Sequence, residues 1–246
     1  MHSKIVYFIN NSKLLGYMLL LEYKEGGYME LNKYIEHTLL KQDATREQVK
    51  KLLQEACEYK FLGVCVNPCN VSFAKRYLND TNHKDIKVVT VIGFPLGQST
   101  TEIKILETID AIKNGADEID MVLNAGKLRD KEYDYITDEI SKIKFACQGR
   151  NLKVILETDL LSQEEIKKAC ELCIKGGADF VKTSTGFVKN GVGAKAVDVK
   201  LMYETVKDAG LQVKASGGIR DKEAALKMIE AGAVRLGTSS GVAICS

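Results

Sequence analysis

From residue 29 onward, short apolar runs alternate with stretches in which apolar residues recur every three or four positions. The first pattern predicts β-strands and the second predicts helices with one buried stripe. Candidate strands lie in "KYIEHTLL", "FLGVCVN", "IKVVTVIGF", "DEIDMVLN", "LKVILETD", "DFVKTST", "LQVKASGG" and "AVRLGTSS". Candidate helices cover 45–60, 69–79, 99–114, 131–148, 162–175, 195–209 and 221–231. Thr45 with Gln48 and Ser162 with Glu165 form capping boxes that predict two helix starts. Pro68 and Pro95 stand just past strand ends, where neither interrupts a ladder.

A weak repeat sharpens the pattern. "NGADEIDMV", "GGADFVKTS" and "AGAVRLGTS" each pass from a helix-ending glycine through alanine into a strand. Glycine there closes the helix in the left-handed conformation, so the unit is helix, tight turn, strand. Eight such units in this length specify a (β/α)8 TIM barrel. An open doubly wound sheet is the alternative, but no G-x-G-x-x-G follows the first strand. Residues 29–246 are therefore expected to form a single barrel domain.

Residues 1–28 show no caps and no barrel periodicity. "LLGYMLLL" is too short to span a bilayer, and no small-residue cleavage site follows it, so a secretory signal is not expected. Lys24-Glu25-Gly26-Gly27 can be encoded by a purine run resembling a bacterial ribosome-binding site, with Met29 downstream at a start distance. The segment is read as an extension outside the domain, translated from upstream of a start at Met29. The alternative is a genuine helix that docks on the barrel or on a partner subunit.

Composition narrows the function classes. With 246 residues and 45% hydrophobic content the chain can bury one large core. Its 35 Lys and Arg against 33 Asp and Glu give no electrostatic reason to expect nucleic acid or a membrane surface as partner. Seven cysteines, an odd set without framework spacing, predict a reducing compartment, the cytoplasm.

In a barrel of this kind chemistry sits at the C-terminal ends of the strands. Strand four offers Asp120, strand six Lys182 and strand seven Lys214. One explanation is a buried ion-pair network that only fixes the interior. The other is catalysis: a lysine becomes a nucleophile when burial beside a second cation favours its neutral form, and Lys214 is that cation for Lys182. Asp120 would then hold Lys214 charged or exchange protons with the intermediates. The chemistry predicted is imine formation on an aldehyde or ketone. "ASGGIR" and "LGTSSG" place Gly217, Gly218, Ser239 and Ser240 where barrels bind phosphate, although turn formation also explains the glycines. "CELC" at 170–173 follows helical core spacing, and only His2, His37 and His83 exist as histidine ligands, so core packing is expected there rather than zinc. Alternation puts His37 and Glu36 on opposite strand faces, which makes His37 a packing residue.

"IEHTLLK", "GVCVNP", "IGFPLGQ", "GADEIDMVLN", "KVILET", "DFVKTSTGF", "VKASGGIR" and "LGTSSG" occur in order. Together they resemble the deoxyribose-phosphate aldolases of the DeoC type, from about Met29 to the last residue. The resemblance implies reversible cleavage of 2-deoxy-D-ribose 5-phosphate to D-glyceraldehyde 3-phosphate and acetaldehyde by a class I route, with no cofactor and no metal. It places the imine on Lys182 and the proton relay on Asp120 and Lys214. Thr38, Cys65 and Thr185 align with substrate-pocket positions, and Gly186, Gly217, Gly218, Gly237, Ser239 and Ser240 with phosphate loops. Two residues depart from the pattern: Glu36 stands where the family usually has aspartate, and Phe187 where some members have a phosphate-facing lysine. The expected partners are a small phosphosugar, aldehydes and further copies of the chain in a dimer or tetramer. Alternatives are another lysine-imine aldolase or transaldolase, or a non-catalytic phosphosugar-binding barrel. The first would lack the paired "KTSTG" and "KASGG", and the second would lose the lysines.

Overall fold

Eight parallel strands close into a barrel in chain order: β1 (Ile35–Leu39), β2 (Gly63–Val66), β3 (Lys87–Ile92), β4 (Glu118–Val122), β5 (Asn151–Ile155), β6 (Phe180–Lys182), β7 (Gln212–Ser216) and β8 (Ala233–Thr238). Strand β8 pairs back on β1, with Glu36 opposite Gly237. This computed structural model describes residues 29–246, so the expectations for residues 1–28 lie outside the described residues. The helices are α1 (Arg46–Tyr59), α2 (Val71–Asp80), α3 (Thr101–Lys113), α4 (Ala125–Arg129), α5 (Tyr133–Ala146), α6 (Gln163–Gly176), α7 (Ala196–Val206), α8 (Lys222–Glu230) and α9 (Gly241–Cys245). The architecture is a (β/α)8 barrel. Among the described residues no helix is long and apolar enough to cross a membrane.

Local chemistry explains the boundaries. Both capping boxes form: the Thr45 hydroxyl accepts from Gln48 N and the Ser162 hydroxyl from Glu165 N, while each N3 side chain accepts from the cap backbone in return. In the repeat, Gly115, Gly177 and Gly232 have φ of 103°, 75° and 109°, the region the turn into the next strand requires. Strand β6 stops at Lys182, earlier than the apolar pattern suggests. The next side chain, Thr183, donates its hydroxyl to Ser216 O and accepts from Ser216 N, both at 2.9 Å, which pins the end of β6 to β7. The five-residue α4 is too short to leave a periodic signature in the sequence.

The apolar core lies between barrel and helices. Inside the barrel, Leu40, Cys65, Val89 and Val91 make a separate apolar cluster on the β2–β3 side. The rest of the interior is ionic: Glu36, Glu118, Asp120, Lys153, Lys182 and Lys214 are all buried. Strand alternation sends these groups inward and turns His37 outward, where Nε2 lies 2.8 Å from Glu55 Oε2 and the ring packs on Phe61. Helix α3 departs from the expected apolar stripe. Thr101, Lys104, Thr108 and Ala111 face the barrel, while Ile103, Leu106 and Ile109 are 43–60% exposed. The inversion has a local cause, because Lys104 Nζ reaches Val122 O at 3.0 Å and Glu139 Oε2 at 2.9 Å, so its buried charge is satisfied.

Candidate active site

The ionic interior is organised around one carboxylate. Asp120 Oδ2 accepts from Lys182 Nζ at 2.8 Å and from Lys214 Nζ at 2.7 Å, while Oδ1 accepts from Lys153 Nζ at 3.0 Å. Lys214 also bonds Glu36, and Lys153 lies 2.6 Å from Glu118 Oε2 and 3.6 Å from Glu36 Oε1. The strand register produces this arrangement: Lys182 stands beside Lys214 and Asp120 beside Lys153 on neighbouring strands. Where the stem of Lys214 passes β8, Gly237 makes room, since a Cβ there would sit 3.1 Å from Lys214 Cε and 3.0 Å from Ser216 Cβ.

Burial alone would push Asp120 toward its neutral form, but Lys153, Lys182 and Lys214 outweigh it and hold the carboxyl well below its ordinary value. Burial likewise opposes the charge on Lys214, and Asp120 with Glu36 overcomes it, so the Lys214 ammonium is held above the ordinary lysine range. Glu36 is lowered despite its burial, by Lys153 and Lys214. The cluster therefore carries fixed, fully ionised groups beneath the one lysine that opens outward.

That lysine is Lys182. A cavity of about 350 Å³ lies above it at the C-terminal mouth of the barrel, and Thr38, Thr185, Gly186, Gly217, Gly218, Gly237, Ser239 and Ser240 share its wall. Asp120 and Lys214 are absent from the wall and lie under its floor. Cys65 does not reach the cavity. It is fully buried in the apolar interior cluster, where burial raises its thiol pKa. Gly217 and Gly218 have φ of 84° and 74°, and a Cβ on Gly218 would meet Val192 O at 2.3 Å, so the turn and the neighbouring loop both require glycine. Thr238 Oγ1 donates to Ile219 O and accepts from Ser240 N, tying the β7 and β8 loops together.

Several wall and floor residues escaped the sequence reading. Arg220, Lys41 and Ser184 line the cavity. Glu157, in the left-handed conformation at φ 62°, bonds both the backbone N–H and the hydroxyl of Thr185 from behind, and burial pushes its carboxyl pKa up. Lys153 was the findable one: an isolated lysine in the apolar run "LKVILE" carries the same signal that singled out Lys182. The cysteines of "CELC" both pack in the core, where burial raises Cys170 to about 12 and Cys173 well above its ordinary value. Among the described residues no group of three or more His, Cys, Asp or Glu is placed to hold a metal ion.

Residues 31–246 match the model of the DeoC/LacD family aldolases. The chain is 56% identical over 219 residues to a deoxyribose-phosphate aldolase of Enterococcus faecalis, covering 89% of this chain and 97% of that one. It is also 56% identical over 216 residues to a deoxyribose-phosphate aldolase of Finegoldia magna, covering 88% and 99%. Among solved structures, a tetrameric deoxyribose phosphate aldolase from Aeropyrum pernix superposes with a TM-score of 0.80 at 34% identity, over 87% of this chain and 89% of that one.

Proposed function

Because the chain belongs to the DeoC/LacD family of aldolases, we propose that it cleaves 2-deoxy-D-ribose 5-phosphate reversibly to D-glyceraldehyde 3-phosphate and acetaldehyde through an imine on Lys182. The observation that carries the assignment is that Lys182 alone among the lysines bonded to Asp120 lines the cavity, and it shares one Asp120 oxygen with Lys214.

The free amine of Lys182 adds to C1 of the open-chain sugar, and loss of water leaves a protonated imine. Removal of the proton from the C3 hydroxyl breaks the C2–C3 bond. The bonding pair passes into the imine and gives an enamine, while C3 leaves as the aldehyde carbon of glyceraldehyde 3-phosphate. Protonation of the enamine at C2 and hydrolysis release acetaldehyde and restore the amine. Asp120 Oδ2 accepts from both Lys182 and Lys214, so it links the two lysines as a relay for these protons requires. The Gly217 and Gly218 backbone, the Ser239 and Ser240 hydroxyls and the Arg220 guanidinium receive the phosphate at the far wall. Thr38 and Thr185 face the sugar between these ends. The electron sink is the imine itself, so the cycle calls on no cofactor. A homo-oligomer belongs to the same proposal, prompted by the tetrameric Aeropyrum pernix relative. So does a cytoplasmic location, consistent with seven unpaired thiols.

Borohydride reduction in the presence of acetaldehyde tests the assignment. One N-ethyl group is expected on the Lys182 peptide, and Lys182→Arg is expected to lose both labelling and turnover, because a guanidinium stays protonated. Labelling of a different lysine overturns it.

A further inference from the structure

Lys153 is fully buried in the middle of the barrel and takes no part in the cavity wall. Its ammonium nevertheless reaches three carboxylates: Asp120 Oδ1 at 3.0 Å, Glu118 Oε2 at 2.6 Å and Glu36 Oε1 at 3.6 Å. The contact with Glu118 is the shortest of the three. Lys153 makes its hydrogen bond to the Asp120 oxygen that faces away from Lys182 and Lys214.

We propose that Lys153 is a positioning residue for the reaction: it grips Asp120 by Oδ1 and so keeps Oδ2 between Lys182 and Lys214. The proposal rests on the role given above to Asp120 and Lys214. A carboxylate turns easily about its terminal bond, whose torsion is broad and two-fold, so two lysines on one oxygen leave the group free to pivot. A third donor on the other oxygen fixes the plane. Lys153 is itself fixed from the side opposite the cavity by Glu118, whose Oε1 accepts from Asn151 Nδ2 at 3.1 Å and lies 3.9 Å from both Lys87 Nζ and Arg235 Nη2. Lys153 Nζ also stands over the Phe180 ring, 5.8 Å from its centroid. Anchorage therefore runs from the half-exposed Lys87 through Glu118 and Lys153 to Asp120. The β2–β3 side of the same interior is filled by Cys65, Val89 and Val91, so barrel packing by itself does not call for a buried ion chain.

The electrostatic consequence is separable from the geometric one. Asp120 faces Lys153 from β5, Lys182 from β6, Lys214 from β7, Glu36 from β1 and Cys65 from β2. Removing Lys153 takes away a cation that holds the Asp120 carboxyl well below its ordinary value, so Asp120 takes up a proton at higher pH in the variant. The acid limb of the rate profile then moves to higher pH.

The test is Lys153→Met, which keeps the length of the stem and removes the charge. Three quantities are read on folded protein: kcat, its pH profile, and the number of Lys182 side chains trapped per chain by acetaldehyde and borohydride. The expected result is near-parental trapping, a fall in kcat of about tenfold or more, and an acid limb displaced to higher pH. Lys153→Met with Glu118→Gln removes the carboxylate left unpaired, and it gives the same three results should the single variant not fold. A purely structural role lowers trapping and kcat together and leaves the acid limb in place, and that outcome overturns the proposal, as does an unchanged kcat. Absence of label on Lys182 in the parent protein would instead defeat the assignment of the nucleophile, so the two failures are distinguishable.

Discussion

Replacing Lys214 by leucine separates the two things this side chain does. It is fully buried and donates to Asp120 Oδ2 at 2.7 Å and to Glu36. Leucine keeps an apolar stem in the slot beside Gly237 but leaves Glu36 with only the longer contacts of its Oε1, to Lys153 at 3.6 Å and Arg235 Nε at 4.0 Å. Removing one member of a buried ion pair costs about 3–5 kcal/mol, chiefly because the abandoned charge stays buried. Glu36 has a way out, because it can take up a proton. Its pKa in the parent is lowered only through Lys153 and Lys214 against burial, so losing Lys214 raises it. The variant's native state then binds more protons than its unfolded state near and above the ordinary carboxylate pKa, and its stability falls as pH rises. The stability gap between parent and variant should therefore be widest at neutral pH and narrow as pH falls toward about 5. Turnover follows a different course, because a proton-relay partner is gone, and kcat should fall by about 10²- to 10⁴-fold at every pH. Urea unfolding at several pH values and initial rates on 2-deoxyribose 5-phosphate measure the two effects. Adding Glu36→Gln to Lys214→Leu should recover stability at neutral pH without recovering kcat, a clear departure from additivity. A Lys214→Leu protein that turns over within about threefold of the parent, or a double variant that regains activity along with stability, refutes the relay assignment.

Three further outcomes are expected. Asp120 and Glu36 have folded-state pKa values below their ordinary ones, so the stability they provide is complete above about pH 4 and drains away as pH drops through those lower values; urea midpoints between neutral pH and pH 3 should show this, and a flat profile would contradict it. Gly237→Ala puts a methyl group 3.1 Å from Lys214 Cε, so kcat should drop about tenfold with a stability loss of only about 1 kcal/mol, and steady-state kinetics beside a thermal melt would expose an unaffected rate. Incubation with EDTA should leave kcat unchanged, since the imine carries the electron pair; loss of activity restored by added zinc or magnesium would count against the mechanism.

The strands were legible because a parallel strand buried on both faces is an unbroken apolar run, and the three glycine-alanine turns set the phase of the repeat. Lys182, Lys214 and Asp120 stood out for the same reason, as charges within such runs. What an apolar run does not disclose is which of its two faces looks into the barrel. Lys153 was therefore passed over, and Glu36 was noticed only as a departure from a familiar motif. Helix α3 misled in the opposite sense: its isoleucines and leucine mark an apolar stripe, yet Lys104 rather than Leu106 faces the barrel, since Val122 O and Glu139 are there to receive it. Pairings of that kind lie 18 and 35 residues apart and cannot be seen in a local window.

The ionic centre also dictates when in the life of the chain it can exist. Its bonds join residues 62, 94 and 178 positions apart: Lys182 with Asp120, Lys214 with Asp120, and Lys214 with Glu36. Closing loops of that size comes late, after local helix and strand pairs have formed, and the longest one links the first strand to the seventh. Competence for chemistry thus requires β1, β4, β6 and β7 to be in place together. A nascent chain still short of β7 holds Asp120 and Lys182 yet has no Lys214 to complete the centre. Such a chain must keep its charged strand faces in water until the last two strands emerge.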